Sequence, residues 1–74
     1  MTRLVPLPAR RVVRALERLG FRYQRQRGSH ASYAHADGRI VTVPIHPTRD
    51  VSRGTLREII RIAGISVEEF MDLA

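Results

Sequence analysis

A chain of 74 residues builds one small core, and 43% of its residues are hydrophobic, enough to fill it. It has no cysteine, so neither a disulfide framework nor a thiolate metal site staples it, and no apolar run approaches the roughly 18 residues of a membrane span. Thirteen basic residues, every one an arginine, face seven acids for a formal charge of +6. That balance favours a polyanionic partner, because guanidinium forks match phosphate oxygens two at a time, although base composition and heat adaptation also enrich arginine.

The basic charge is unevenly spread. Residues 1–34 hold eight arginines against the single acid Glu17, whereas residues 66–74 hold Glu68, Glu69 and Asp72 and no base. The opening MTRLVPLP lacks the continuous apolar stretch of a secretory signal, and the expected compartment is the cytoplasm.

In chain order, Pro8 stands where the first turn of a helix tolerates it. Val12, Val13, Leu16 and Leu19 then share one face, with Arg10, Arg11, Arg14, Glu17 and Arg18 turned away, and Gly20 ends the helix. FRYQRQR alternates, which predicts a strand with Phe21 and Tyr23 on one face and Arg22, Gln24 and Gln26 on the other. Gly28 breaks it, and SHASYAHA is a second strand. Asp37-Gly38 predicts a two-residue hairpin turn into a third strand, RIVTV, whose end is marked by Pro44. After the loop HPTRDVSRG, Thr55 and Glu58 have capping-box spacing, and Leu56, Ile59, Ile60 and Ala63 form the stripe of a second helix stopped by Gly64. Ser66 and Glu69 repeat the capping-box spacing and open a short last turn with Val67, Phe70, Met71 and Leu73. The expectation is one α+β domain over residues 1–74 in the order α-β-β-β-α, a three-stranded antiparallel sheet with the helices on one face. That order is shared with the double-stranded-RNA-binding fold, an analogy that carries no function by itself.

Candidate chemistry centres on the second strand. Ser29, Ala31, Tyr33 and His35 point one way, and His30, Ser32, Ala34 and Ala36 the other. If bulky Tyr33 faces the core, His30 stands on the open face beside small Ser32 and Ala34, with Arg22, Gln24 and Gln26 arriving from the first strand. An imidazole exchanges protons near neutral pH, and arginines hold a phosphate and the charge that develops on it. The plainer alternative is an exposed strand histidine with no role. His46, in PIHP, is a second proton-transfer group, a phosphate contact or a loop residue; His35 is expected to be solvent-exposed. Ser29 and His30 point to opposite faces, which disfavours a Ser-His nucleophile pair, and the three histidines lack metal-ligand spacing. Arg53, Arg57 and Arg61 recur at i, i+4, i+8, as an anion-binding rail or the solvated face of a helix.

Five motifs in order, LERLGF at 16–21, GSH at 28–30, DGRIVTVPIH at 37–46, GTLREII at 54–60 and AGISVEEF at 63–70, make the chain similar to the HicA toxin family over almost its whole length. The resemblance implies a fold of the double-stranded-RNA-binding type and a ribonuclease that cleaves mRNA, held inactive by a HicB antitoxin. It implies that the histidine of the G-S-H motif, His30, is catalytic, and it aligns Pro44 and His46 with the family's P-x-H motif. The expected RNA contacts are Arg22, Arg25, Arg27, Ser29, Ser32 and His46, with no metal or other cofactor. The sequence departs from the family in having arginine where lysine and arginine are usually mixed, and in the small residue Ala31. A noncatalytic RNA-binding module and a purely protein-binding regulator are the other readings.

Overall fold

A computed structural model describes residues 3–74; the expected domain over 1–74 includes residues 1 and 2, which lie outside the described residues. The elements are α1 (Ala9–Arg18), β1 (Arg22–Arg27), β2 (His30–Ala34), β3 (Ile40–Pro44), α2 (Arg53–Ala63) and α3 (Val67–Leu73). The strands form one antiparallel sheet in the order β1-β2-β3. Ala31, Tyr33, Val41 and Val43 are buried on the helix side, while His30, Ile40 and Thr42 between them are exposed. The architecture is α+β, of the double-stranded-RNA-binding type, as expected.

α1 ends as the sequence predicts. Gly20 has φ 97°, a conformation in which a Cβ would crowd the backbone. The amide of Gly20 donates to the Glu17 carbonyl at 3.0 Å and that of Phe21 to the Leu16 carbonyl at 3.0 Å, the paired bonds of a Schellman motif. The motif turns Phe21 straight into the core, where it is fully buried with Leu16, Leu56, Val41, Val43 and Phe70. Each such side chain contributes about 1.5–3 kcal/mol by leaving water. The buried stripe of α1 is narrower than the periodicity predicts: Val12, Ala15 and Leu16 are buried, but Val13 and Leu19 lie half-exposed at its margins.

Two turns differ from expectation. The β2–β3 hairpin is not a two-residue Asp37-Gly38 turn. The Gly38 amide donates to the His35 carbonyl at 3.0 Å, and the His35 amide to the Arg39 carbonyl at 2.9 Å. Ala36 and Asp37 are therefore the central residues, and Gly38, at φ 100°, follows them in the bulge position of a three-residue loop. The cap of α2 is Ser52 rather than Thr55: its hydroxyl accepts from the Thr55 amide at 3.3 Å. Serine and threonine three residues apart both suit an N-cap, and the helix takes the earlier one. Ser66 and Glu69 do form the expected capping box on α3.

Long-range contacts lock the helices to the sheet and to each other. Leu7 and Val51 exchange backbone hydrogen bonds of 3.2 and 2.6 Å, joining the chain just before α1 to the chain just before α2. Arg39 donates to the Ala63 carbonyl at the end of α2, where a cation complements the helix dipole. The same guanidinium lies 5.2 Å from the centre of the Phe21 ring and pairs with Asp37 at 2.9 Å. The hydrogen bonds from Arg39 are the main reason that the Asp37 carboxyl is held down to about 2. From α1, Arg18 donates to the Leu73 carbonyl at 3.1 Å and Arg11 to that of Ala74 at 3.4 Å. These arginines of the basic segment thus serve the fold.

Candidate functional site

What decides the site is a β-bulge. β1 pairs with β2 as Arg22 with Ala34 and Tyr23 with Tyr33, but then as Arg25 with Ser32, Gln26 with Ala31 and Arg27 with His30. Gln24 is the extra residue, and past it the alternation of faces is inverted. Paired residues share a face of the sheet. The open face therefore carries Arg22, Arg25 and Arg27 from β1, His30, Ser32 and Ala34 from β2, and Ile40, Thr42 and Pro44 from β3. The expected neighbours Gln24 and Gln26 are not the ones His30 receives: Gln26 pairs with Ala31 on the helix side. The strict alternation read from FRYQRQR fails because it has no signal for the bulge.

The inverted parity brings the chemistry-bearing groups together. Arg25, Arg27, His30, Ser32 and Thr42 line one open cavity of about 320 Å³. His30 is exposed and Ser32 half-buried. No carboxylate lines this cavity, so among the described residues nothing there offsets the two guanidinium charges. Arg22 is on the same face but outside the cavity, opposite Ala34. Thr42 was not singled out by the sequence reading; its place in the alternating RIVTV, one step from buried Val41 and Val43, carried the signal.

The other candidates lie elsewhere. Ser29 belongs to the Gly28-Ser29 turn between paired Arg27 and His30, not to the second strand, and its carbonyl accepts from the Ile45 amide. His46 lies past the end of β3, bridged to Arg49, and lines a separate cavity. His35 is not solvent-exposed as expected. Its ring meets Phe21 edge-on at 5.2 Å between centroids, its Nδ1 accepts from the Asp37 amide at 3.1 Å, and its side chain is 22% accessible. The compact three-residue loop folds it back over the end of α1. Arg61 of the arginine series on α2 is held by Glu58 through two hydrogen bonds of 3.0 and 2.5 Å, as on a solvated face. Tyr33 has its hydroxyl pKa pushed up by burial first and by the Glu17 carboxylate second; it stands on the helix side, away from His30.

A three-stranded sheet with helices on one face and an arginine-lined, histidine-bearing cavity on the other defines a small basic α+β protein of the double-stranded-RNA-binding type. The sequence model of the HicA toxin of bacterial toxin–antitoxin systems matches residues 9–65, from the first residue of α1 to just past α2. The chain belongs to the HicA toxin family. Membership makes it the toxin side of a toxin–antitoxin pair, with an antitoxin as partner. No curated protein matches the chain. Among the described residues, no helix is long and apolar enough to cross a membrane.

Proposed function

We propose that the protein is a metal-independent endoribonuclease that cleaves mRNA at the His30 cavity, the 74 residues acting as a single unit in the cytoplasm. The observation that carries this reading is the convergence of His30, Arg25, Arg27, Ser32 and Thr42 on one solvent-open cavity. Arg25 and Arg27 hold the non-bridging oxygens of a phosphodiester and stabilise the charge added in the transition state. Ser32 and Thr42 offer hydroxyl hydrogen bonds to the same group. His30 takes the proton of the ribose 2′-hydroxyl as that oxygen bonds to phosphorus. The phosphorus–5′-oxygen bond breaks, and the departing oxygen takes a proton from water, which an open cavity admits. The products are a 2′,3′-cyclic phosphate and a 5′-hydroxyl. Cations and hydroxyls without carboxylates are a poor donor set for a magnesium ion, so the chain's own groups supply the chemistry.

The antitoxin is of the HicB type and silences the enzyme by covering the open face of the sheet. Arginines there accelerate its docking, so the association rate falls as salt is added.

The test is the product. A single-stranded RNA incubated with the protein in EDTA should be cut, and mass spectrometry should find 2′,3′-cyclic phosphate ends. A 2′-deoxy substitution at the cut position should abolish cleavage there. A 5′-phosphate product, or an absolute need for magnesium, would contradict the mechanism. A gel shift without cleavage would instead favour a noncatalytic RNA-binding module.

A further inference from the structure

A cavity larger than the one at His30, about 370 Å³, lies where the loop after β3 faces the start of α1. Its polar lining is Arg10 from α1 and His46, Thr48, Arg49 and Asp50 from the loop. His46 and Arg49 form an antiparallel bridge around Pro47-Thr48, with the Arg49 amide donating to the His46 carbonyl at 3.4 Å; bridged residues project to one side. Arg10, His46 and Arg49 are all exposed, and among the described residues neither Arg10 nor Arg49 has a carboxylate in ion-pair range. Asp50 is the one acid on the rim, against two guanidiniums.

This cavity is coupled to the first by the sheet. His30 pairs with Pro44, a cross-strand step of about 4.5–5.5 Å, and His46 is two residues further on, at most about 7 Å. The Ile45 amide also bonds the Ser29 carbonyl, which holds the loop to the turn beside His30. The Cα atoms of His30 and His46 are therefore within about 13 Å of each other. A nucleotide step covers about 3.4 Å when stacked and more when extended.

We propose that Arg10, His46 and Arg49 form a second phosphate subsite for the RNA strand, within about four nucleotides of the phosphate held at His30. The proposal rests on the endoribonuclease reading and extends it: two arginines and an imidazole grip the backbone without reading its sequence, and they make cleavage depend on substrate length. RNA is favoured over an acidic peptide because a strand engaged at His30 has this second cavity within a few nucleotides' reach, and its lining carries two guanidiniums for one carboxylate.

Two measurements on the full chain test this, with the double variant Arg10→Ala/Arg49→Ala and with Arg57→Ala, on the solvated face of α2, as control. The first is fluorescence anisotropy with a 2′-O-methyl single-stranded RNA, which binds but cannot be cut. One phosphate contact on a single strand contributes about 0.7 to the slope of log affinity against log salt, so the double variant should lose about that much and Arg57→Ala nothing. The second is cleavage of RNAs from two to ten nucleotides: wild type should gain tenfold or more in kcat/KM on lengthening, and the double variant should lose that gain. An unchanged slope and an unchanged length dependence would overturn the subsite. Equal loss of binding to poly-glutamate would reduce it to general charge attraction and overturn it as an RNA site. If wild type cuts nothing yet the anisotropy slope falls as stated, the subsite stands and the nuclease reading fails. His46→Ala, likewise on an exposed residue, repeats the anisotropy test on a variant that keeps both arginines and should weaken binding in the same direction.

Discussion

Replacing His30 with alanine separates catalysis from binding and from folding. The side chain is exposed at the first position of β2, between Arg27 and Pro44 on the neighbouring strands. Its loss opens no cavity in the core, and the full range of strand propensities is only about 1 kcal/mol. The thermal midpoint should therefore move by no more than about 4–8 °C, the shift that about 1 kcal/mol produces in a domain of this size. RNA affinity should change little, because Arg25 and Arg27 remain. The cleavage rate should fall by ~10²–10⁴-fold, the usual worth of a positioned acid–base group, or about 2.7–5.4 kcal/mol of barrier. Single-turnover cleavage of a labelled RNA, with anisotropy and circular dichroism on the same samples, measures all three. A rate loss below about tenfold would make His30 a contact and nothing more. A comparable loss in His46→Ala would mean that the two imidazoles share the proton transfers, and a loss in His46→Ala alone would move the chemistry to the second cavity.

Other predictions follow from the bulge, the hairpin and the core. Arg25→Ala/Arg27→Ala should flatten the salt dependence of RNA binding by about 0.7, the share of the one phosphate the pair holds on a single strand; an unchanged slope would mean that these two arginines do not hold the phosphate at His30. The Asp37 carboxyl should titrate in the folded protein at about 2, against 3.8 unperturbed, by carbon-detected NMR, and Arg39→Ala should raise it. Because the folded-state value is depressed, the stability that Asp37 adds is complete above the unfolded value and lost as the pH falls through about 2; the difference in stability between wild type and Asp37→Asn should vanish over that acidic window. Gly20→Ala should destabilise by about 1–2 kcal/mol, since φ is 97° and the new Cβ would sit 3.1 Å from His35 Nε2. Phe21→Ala should cost about 3–5 kcal/mol by denaturant unfolding, because the ring is fully buried beneath Arg39.

Stability and function draw on different arginines in this chain. Arg11 and Arg18 close the end of α3, Arg39 closes α2 and covers Phe21, and Arg61 is occupied by Glu58. Arg25 and Arg27 have no carboxylate in ion-pair range among the described residues. An all-arginine composition thus overstates the charge available to a polyanion; of the nine arginines that remain, Arg10, Arg25, Arg27 and Arg49 line the two cavities.

The sequence alone determined the element order, the face of each helix and most of the element ends, because these depend on signals local in the chain. Helical spacing marked Leu16 and Leu56 for burial, a glycine after Leu19 announced the end of α1, and Ser66 with Glu69 announced the start of α3. The ordered motifs pointed to the family, and the small residues beside His30 to an open strand face. Tertiary structure decided what depends on partners distant in sequence. Arg25 and Arg27, not Gln24 and Gln26, flank His30 because β1 accommodates one extra residue against β2, and a bulge is an outcome of pairing that one strand's own alternation does not encode. His35 is half-buried because the loop closes over Phe21 as a three-residue turn. Leu7 meets Val51, and Arg10 lines one cavity with His46 and Arg49, only through the tertiary packing of segments distant in the chain. Local signals set where the chain turns; packing across it sets which side chains meet.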